Sequence, residues 1–99
     1  MAAPVQKTVT TSAVLLVAAN EARTKLHIRN ETGQGVWIGD AATVTILTGF
    51  WLPEGELWEE ERTLQNDPYF YWGAYYAIAG SGSVVVHVWE KERIRSGGI

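Results

Sequence analysis

The chain has 99 residues, of which 46% are hydrophobic and 19% charged, with a formal net charge of −3 and no cysteine. That length suits one domain with one core, and the lack of cysteine excludes disulfides, thiolate metal sites and cysteine nucleophiles. The negative charge disfavours a nucleic-acid partner. The longest apolar run, residues 13–19, is too short to cross a bilayer, and no basic segment of a secretory signal precedes it. We therefore expect a soluble protein with neither a nucleic-acid nor a membrane partner.

The N-terminal third predicts an arm followed by strands. Residues 1–7 lack periodicity and predict an extended arm. A threonine-rich stretch, residues 8–11, leads into residues 13–17, whose short apolar run is compatible with a strand or a helix. The β-branched residues favour the strand. After a turn at residues 20–21, residues 25–29 alternate between apolar and polar, as a half-buried strand does.

The middle of the chain predicts short strands interrupted by turns. A strand is predicted over residues 36–38, and the alternation of residues 43–47 predicts another. Gly49, Pro53 and Gly55 break up the segment of residues 50–58, so we expect a bent edge strand or a loop there. In that segment Leu52 and Leu57 are expected to point inward.

The last third predicts two long strands and a tail. Residues 69–79 and 83–93 are the strands, and Gly80-Ser81-Gly82 predicts the turn of a hairpin between them. Residues 96–99 predict a loose C-terminal tail. Seven or eight short strands with regular turns and no convincing helix indicate one all-β domain over residues 8–95. Its expected architecture is an antiparallel β-sandwich or a small, jelly-roll-like barrel.

The ionisable residues do not form a recognisable catalytic or metal-binding pattern. His27 and His87 fall at outward positions of predicted strands, and no spacing typical of metal ligands surrounds them. We therefore expect no catalytic residue, no metal and no cofactor, and a protein that is not an enzyme. A small-barrel enzyme would require one of these histidines to meet an acid in a pocket. The glutamates of residues 54–61 predict a solvated loop or a patch that meets a basic partner.

Aromatic residues are the most unusual feature of the sequence. Residues 69–76 contain six rings, and a strand would distribute them over both of its faces. Three explanations fit: contact with another subunit, a central strand covered on both sides, or a platform on which sugars stack. Contact between subunits is the expectation. The candidate interface residues are Trp37, Trp51, Tyr69, Tyr71, Trp72, Tyr75 and Trp89.

Strand and turn patterns follow one another between residues 8 and 92. They are the threonines of residues 8–11, Ala-Asn-Glu-Ala-Arg at 19–23, Leu-His-Ile-Arg-Asn at 26–30, Val-Trp-Ile-Gly at 36–39, a Gly-x-x-Leu-Pro-x-Gly-Glu turn at 49–56, Tyr-Ala-Ile at 76–78 and Val-His-Val-Trp-Glu at 86–90. Their order resembles that of small β-sandwich accessory virion proteins of tailed bacteriophages, of the head-decoration or head-fibre type.

The resemblance implies a structural role in the virion, with the protein assembled in the host cytoplasm. It implies a homo-oligomer, a trimer in particular, that docks on other virion proteins such as the major capsid protein. A carbohydrate- or receptor-binding β-sandwich module that uses exposed aromatic residues is the alternative function.

Overall fold

The computed structural model describes residues 5–32, 34–61 and 71–92, which form eight β-strands and no helix. The strands are β1 (Val5–Val9), β2 (Val14–Val17), β3 (Arg23–Thr32), β4 (Val36–Gly39), β5 (Phe50–Leu52), β6 (Leu57–Glu61), β7 (Tyr75–Ala79) and β8 (Val84–Glu92). The β-branched and aromatic residues that fill these segments are those that pack well on a pleated sheet.

The strands form two four-stranded sheets that pack as a β-sandwich. Sheet A has the order β1-β8-β3-β6 and sheet B the order β2-β7-β4-β5. Every neighbouring pair is antiparallel. The predicted all-β sandwich is confirmed, and this strand order is that of an eight-stranded jelly roll, in which most connections pass from one sheet to the other.

The core lies between the sheets and follows the alternation of side chains along each strand. In β3, Leu26 and Ile28 are fully buried, as the sequence predicts. Each such side chain contributes about 1.5–3 kcal/mol when it leaves water. The opposing side of the core comes from sheet B. The main buried residues are Leu16, Leu26, Ile28, Val36, Ile38, Leu52, Ala77, Val84, Val86 and Val88.

The strand predicted for residues 43–47 is wrong, because this segment forms turns. The backbone N–H of Thr45 donates to the Oγ1 of Thr48 over 3.0 Å, and Gly49 N–H donates to the carbonyl of Thr45 over 2.9 Å. Threonine side chains that bond to nearby backbone groups compete with the hydrogen bonds of a sheet. The alternating threonines therefore close a turn here.

The hairpin predicted around Gly80-Ser81-Gly82 is also wrong. The connection is short, and Gly82 has a positive φ of 60°, which glycine adopts without strain. However, β7 belongs to sheet B and β8 to sheet A, so the connection crosses between the sheets. The strand before it begins at Tyr75, whereas residues 71–74 form a loop and residues 69–70 lie outside the described residues.

Residues 50–58, predicted as a bent edge strand or a loop, contain β5 and the start of β6, which are edge strands of different sheets. Leu52 is buried, as predicted. Leu57 is 48% exposed, so the prediction for it is wrong. The turn between the strands, with Gly55 at a φ of 84°, places Leu57 opposite Arg29 on the outer face of sheet A.

The start of the sandwich differs from the prediction as well. Residues 5–7, assigned to the arm, belong to β1, where Gln6 pairs with His87 of β8. These residues join the sheet because residues 86–88 of β8 offer hydrogen-bonding groups to them. The rest of the predicted arm and the tail of residues 96–99 lie outside the described residues.

Candidate interaction surface

The two sheets differ sharply in charge. The strands of sheet B, with the sequences VLLV, YYAIA, VWIG and FWL, contain no charged residue. Every strand of sheet A contains at least one. An antiparallel sheet that faces water normally presents polar side chains on its outer side. The outer side of sheet B is therefore the first candidate for contact with another molecule.

Strand register defines the residues on this outer side. Leu15 lies opposite Tyr76, and Trp37 lies between Ile78 and Trp51. Residues directly opposite one another in an antiparallel pair share a face. Trp51 is 47% exposed and Leu15 is 41% exposed, while the other three side chains are half-buried. We call these five residues the apolar face.

Two tryptophans form the centre of the apolar face. The rings of Trp37 and Trp51 lie 4.5 Å apart between centroids, with an interplanar angle of 54°. The ring of Trp51 covers Gly35, where a Cβ atom would overlap it, and a Cβ on Gly80 would lie 3.4 Å from the ring of Trp37. Glycine at position 35 thus allows the indole to lie flat on the backbone.

The outer side of sheet A has the opposite character. His27 Nε2 lies 2.6 Å from the Glu59 carboxylate, and His87 Nδ1 lies 3.2 Å from that of Glu31. Trp89, an interface candidate, is half-buried here with its ring centroid 5.3 Å from that of His27. Both histidines therefore meet an acid on the partly exposed outer face of sheet A.

A cavity of about 250 Å³ lies at the end of β4, in the connection to β5. Its described lining includes the ionisable Asp40 and the hydroxyl groups of Thr43 and Thr48. Among the described residues, no group of three or more His, Cys, Asp or Glu side chains is arranged to hold a metal ion.

Tyr75 is an interface candidate that the structure places in the core. Its side chain is only 6% exposed, and its hydroxyl donates a 2.6 Å hydrogen bond to Glu60. Burial, and then the bond to Glu60, raise the pKa of Tyr75 well above its ordinary value. The rings of Trp58 and Tyr71 pack edge-on against it. The prediction is wrong for Tyr75, because it closes the end of the sandwich within the subunit.

The loop before β7 is held by Arg23, a fully buried side chain. A bulge between Arg23 and Lys25 turns the guanidinium inward. It donates to the carbonyls of Gly73 over 3.0 Å and Ala18 over 2.8 Å, and forms a 2.9 Å ion pair with Glu90. Sequence reasoning missed this residue, since a bulge leaves no local signal.

Tyr71 and Trp72 lie in this loop and are exposed, so they are available to a partner. The carbonyl of Trp72 accepts a 2.8 Å bond from the backbone of Asn20, which fixes the loop against its neighbour. Partial burial, together with the negative charge of Asp40, raises the pKa of Tyr71. Tyr69, another interface candidate, lies outside the described residues.

The structure thus brings together Trp37 and Trp51 of the predicted set and separates them from Trp89. The sequence reasoning missed Leu15, Tyr76 and Ile78, which complete the apolar face. A signal for them exists, because residues 10–20, 41–53 and 71–83 contain no charged residue. These segments are the strands of sheet B with much of their connections.

No family model, no curated protein and no solved structure matches the chain. In the part of the chain that the structure describes, no helix has the length and hydropathy needed to span a membrane. The functional interpretation therefore depends on the fold and on the distribution of side chains over its surfaces.

Proposed function

We propose that the protein is a non-enzymatic structural component of the virion of a tailed bacteriophage, of the capsid-decoration, cement or head-fibre type. In this role it assembles as a homo-oligomer, a trimer in particular, and docks on other virion proteins such as the major capsid protein. The observation that carries the proposal is the apolar face, an uncharged sheet surface in which the exposed Trp51 packs against the half-buried Trp37.

Burial of this face would favour association. Covering the exposed half of Trp51 removes on the order of 100 Å² of apolar surface from water, which is worth about 2–3 kcal/mol. Tryptophans at the centre of an interface are frequent sites of dominant binding energy. The half-buried residues around the pair would exclude water from it. An assembly that covers the apolar face therefore gains stability that one subunit lacks.

Two further observations support a role in a virion. The order of strand and turn patterns resembles phage accessory proteins over residues 8–92, and the eight-stranded jelly roll is an architecture that viral capsid proteins use. Lectin domains use it too, so the architecture is also compatible with the alternative function.

One observation favours that alternative, a carbohydrate- or receptor-binding module. Trp72 is exposed on a loop that is fixed by hydrogen bonds, and sugars stack on exposed rings held in this way. A single exposed ring is a smaller apolar surface than the five residues of the apolar face, which this function would leave uncovered. We therefore place this function second.

Two measurements test the proposal: the mass of the protein in solution and its presence in phage particles. Native mass spectrometry over a wide range of concentrations is expected to show a homo-oligomer, and purified phage particles are expected to contain the protein. A monomer at every concentration that is also absent from particles would contradict the proposal. A change in tryptophan fluorescence on adding a sugar, abolished by Trp72→Ala, would favour the carbohydrate-binding module.

A further inference from the structure

If copies of the chain assemble as proposed, each copy needs a surface that another copy can contact without unfavourable charges. Among the strands that the structure describes, four lie at an edge, β1 and β6 in sheet A and β2 and β5 in sheet B. An edge strand exposes unpaired backbone groups, and proteins commonly protect it with charged side chains, proline, bulges or short length. Comparing the four edges therefore indicates where a neighbour can bind.

The edges of sheet A carry charges, and those of sheet B do not. β6 contains Glu59, Glu60 and Glu61, and β1 contains Lys7. In sheet B, β5 presents the exposed ring of Trp51, and β2 presents Leu15 within a segment, residues 10–20, that contains no charge. Two neutral, apolar edges thus lie on opposite sides of the same sheet.

A bulge between Leu15 and Val17 interrupts the regular backbone of β2. Such a bulge hinders a strand from pairing with a copy of itself. A contact with β2 by side chains of another strand is affected less, because it does not need a continuous ladder. The edge of β2 is therefore hindered in regular pairing with another β2, while its side chains remain open to contact with a neighbouring copy.

Strand directions permit this contact. β2 is antiparallel to β7, β7 to β4, and β4 to β5, so β5 runs antiparallel to β2 within one subunit. Rotation about an axis parallel to the strands preserves their direction. In copies related by such a rotation, β5 of one copy meets β2 of the next in the antiparallel sense. A contact between two different patches of this kind closes into a ring when the rotation between copies divides a full turn evenly, and forms an open filament when it does not.

Charges on sheet A are complementary across the same contact. β6 lies on the side of β5, since the rings of Phe50 and Trp58 are 4.9 Å apart, and β1 contacts β2 on the other side. Bringing β5 against the next copy's β2 also brings the glutamates of β6 towards the next copy's Lys7. Contact between like edges would instead place Glu59 and Glu61 of each β6 together, which is unfavourable, whereas Glu60 turns inward to Tyr75.

Building on the proposed function, we propose that copies of this chain join head to tail, with the β5 edge of one against the β2 edge of the next. The contact has an inner layer of Trp51 on Leu15 and an outer layer of β6 glutamates near Lys7. The closed ring turns the apolar face of every copy towards its axis and the charged side of sheet A towards solvent. Three copies form the ring in the predicted trimer.

A charge exchange tests the contact. Leu15→Lys and Trp51→Glu are each expected to weaken association at least about tenfold, because each leaves a charge against an apolar side chain. The double variant is expected to recover association, because every contact then joins opposite charges. Sedimentation velocity measures the mass of each single variant and of the double variant. Val85→Lys, on the outer side of the central strand β8 and away from both edges, is the matched control and is expected to keep the wild-type mass.

The outcomes separate this contact from the proposed function. A wild-type protein that is monomeric and absent from particles contradicts the function itself. If the wild type is an oligomer and neither single variant weakens its association, only the head-to-tail contact is overturned. The same holds if Leu15→Lys weakens association and adding Trp51→Glu does not restore it. Should a variant fail to fold, as circular dichroism would show, the pair Lys7→Glu and Glu61→Lys repeats the exchange in the outer layer. There, recovery in the double variant supports the contact, and its absence overturns it.

Discussion

Arg23 holds together parts of the chain that are far apart in sequence. Its guanidinium bonds the loop before β7, the loop after β2 and Glu90 of β8, all without exposure to water. A buried charge is stable only when all of its donors find partners. Together with the backbone bond from Asn20 to Trp72, Arg23 holds the loop that exposes Tyr71 and Trp72.

We predict that Arg23→Ala lowers the free energy of unfolding by about 3–5 kcal/mol, since it leaves Glu90 and the loop carbonyls without a buried partner. Arg29→Ala is the control, because Arg29 has a 60% exposed side chain and a surface pair with Glu31. Arg29→Ala is expected to lower the free energy of unfolding by no more than about 0.5–1 kcal/mol. Denaturant titration measures both, and equal losses would contradict the account of Arg23.

Tyr75 makes the stability of the fold sensitive to alkaline pH. Its ordinary pKa is 10.0, and burial followed by the hydrogen bond to Glu60 raises the pKa in the folded protein. The unfolded chain releases this proton near pH 10, whereas the folded chain retains it. The stability that the neutral hydroxyl contributes is thus complete below pH 10 and is lost as the pH rises above it.

We predict that Tyr75→Phe flattens this alkaline loss, which amounts to at most about 1.4 kcal/mol for each pH unit and each retained proton. At neutral pH the same change costs about 1–2 kcal/mol, because Glu60 loses its hydrogen-bond donor. Free energies of unfolding measured between about pH 9 and 11 test the prediction. A slope equal to that of the wild type would show that Tyr75 is not the titrating group.

At the scale of elements, the β4–β5 pair shows how a glycine supports the surface. We predict that Gly35→Ala lowers the free energy of unfolding by about 1–3 kcal/mol, because the new Cβ displaces the ring of Trp51. Gly80→Ala is the control, since its Cβ would lie at an ordinary 3.4 Å from Trp37. Thermal unfolding and the near-ultraviolet circular dichroism of the tryptophan pair measure the effect. Similar changes in both variants would contradict it.

The individual strands and turns also show which features local sequence patterns predict and which they do not. Alternation correctly predicts the buried sides of β3 and β8, because a strand with one face in the core must follow a period of two. It fails for residues 43–47, where threonines that bond to nearby backbone groups produce the same alternation in a turn. It also cannot show that Gly80-Ser81-Gly82 crosses between sheets, since the same glycines serve a hairpin.

The sequence likewise predicts part of the candidate surface and not the rest. Large aromatic side chains indicate Trp37 and Trp51 directly, because a chain of this size has more rings than one core needs. Leu15 and Ile78 join them only through the register of non-consecutive strands, which depends on long-range pairing. Tyr75 was misassigned for the related reason that its strand begins later than the aromatic run.

At the scale of the whole molecule, the fold separates an uncharged sheet from a charged one. The chain alternates between the sheets, so charge-free segments that are far apart in sequence meet in sheet B. The apolar face is the product of this separation. If it lies inside an assembly, a charge placed at its centre will prevent association, whereas the same charge on the outer side of sheet A will not.

The measurement that tests this claim most directly compares Ile78→Lys with Val85→Lys. Both residues are half-buried on the outer side of a central strand, Ile78 in sheet B and Val85 in sheet A. Sedimentation velocity at concentrations where the wild type is oligomeric is expected to show a monomer for Ile78→Lys and the wild-type mass for Val85→Lys. Both variants are expected to keep the wild-type circular dichroism spectrum. An Ile78→Lys protein that is folded and fully assembled would contradict the account.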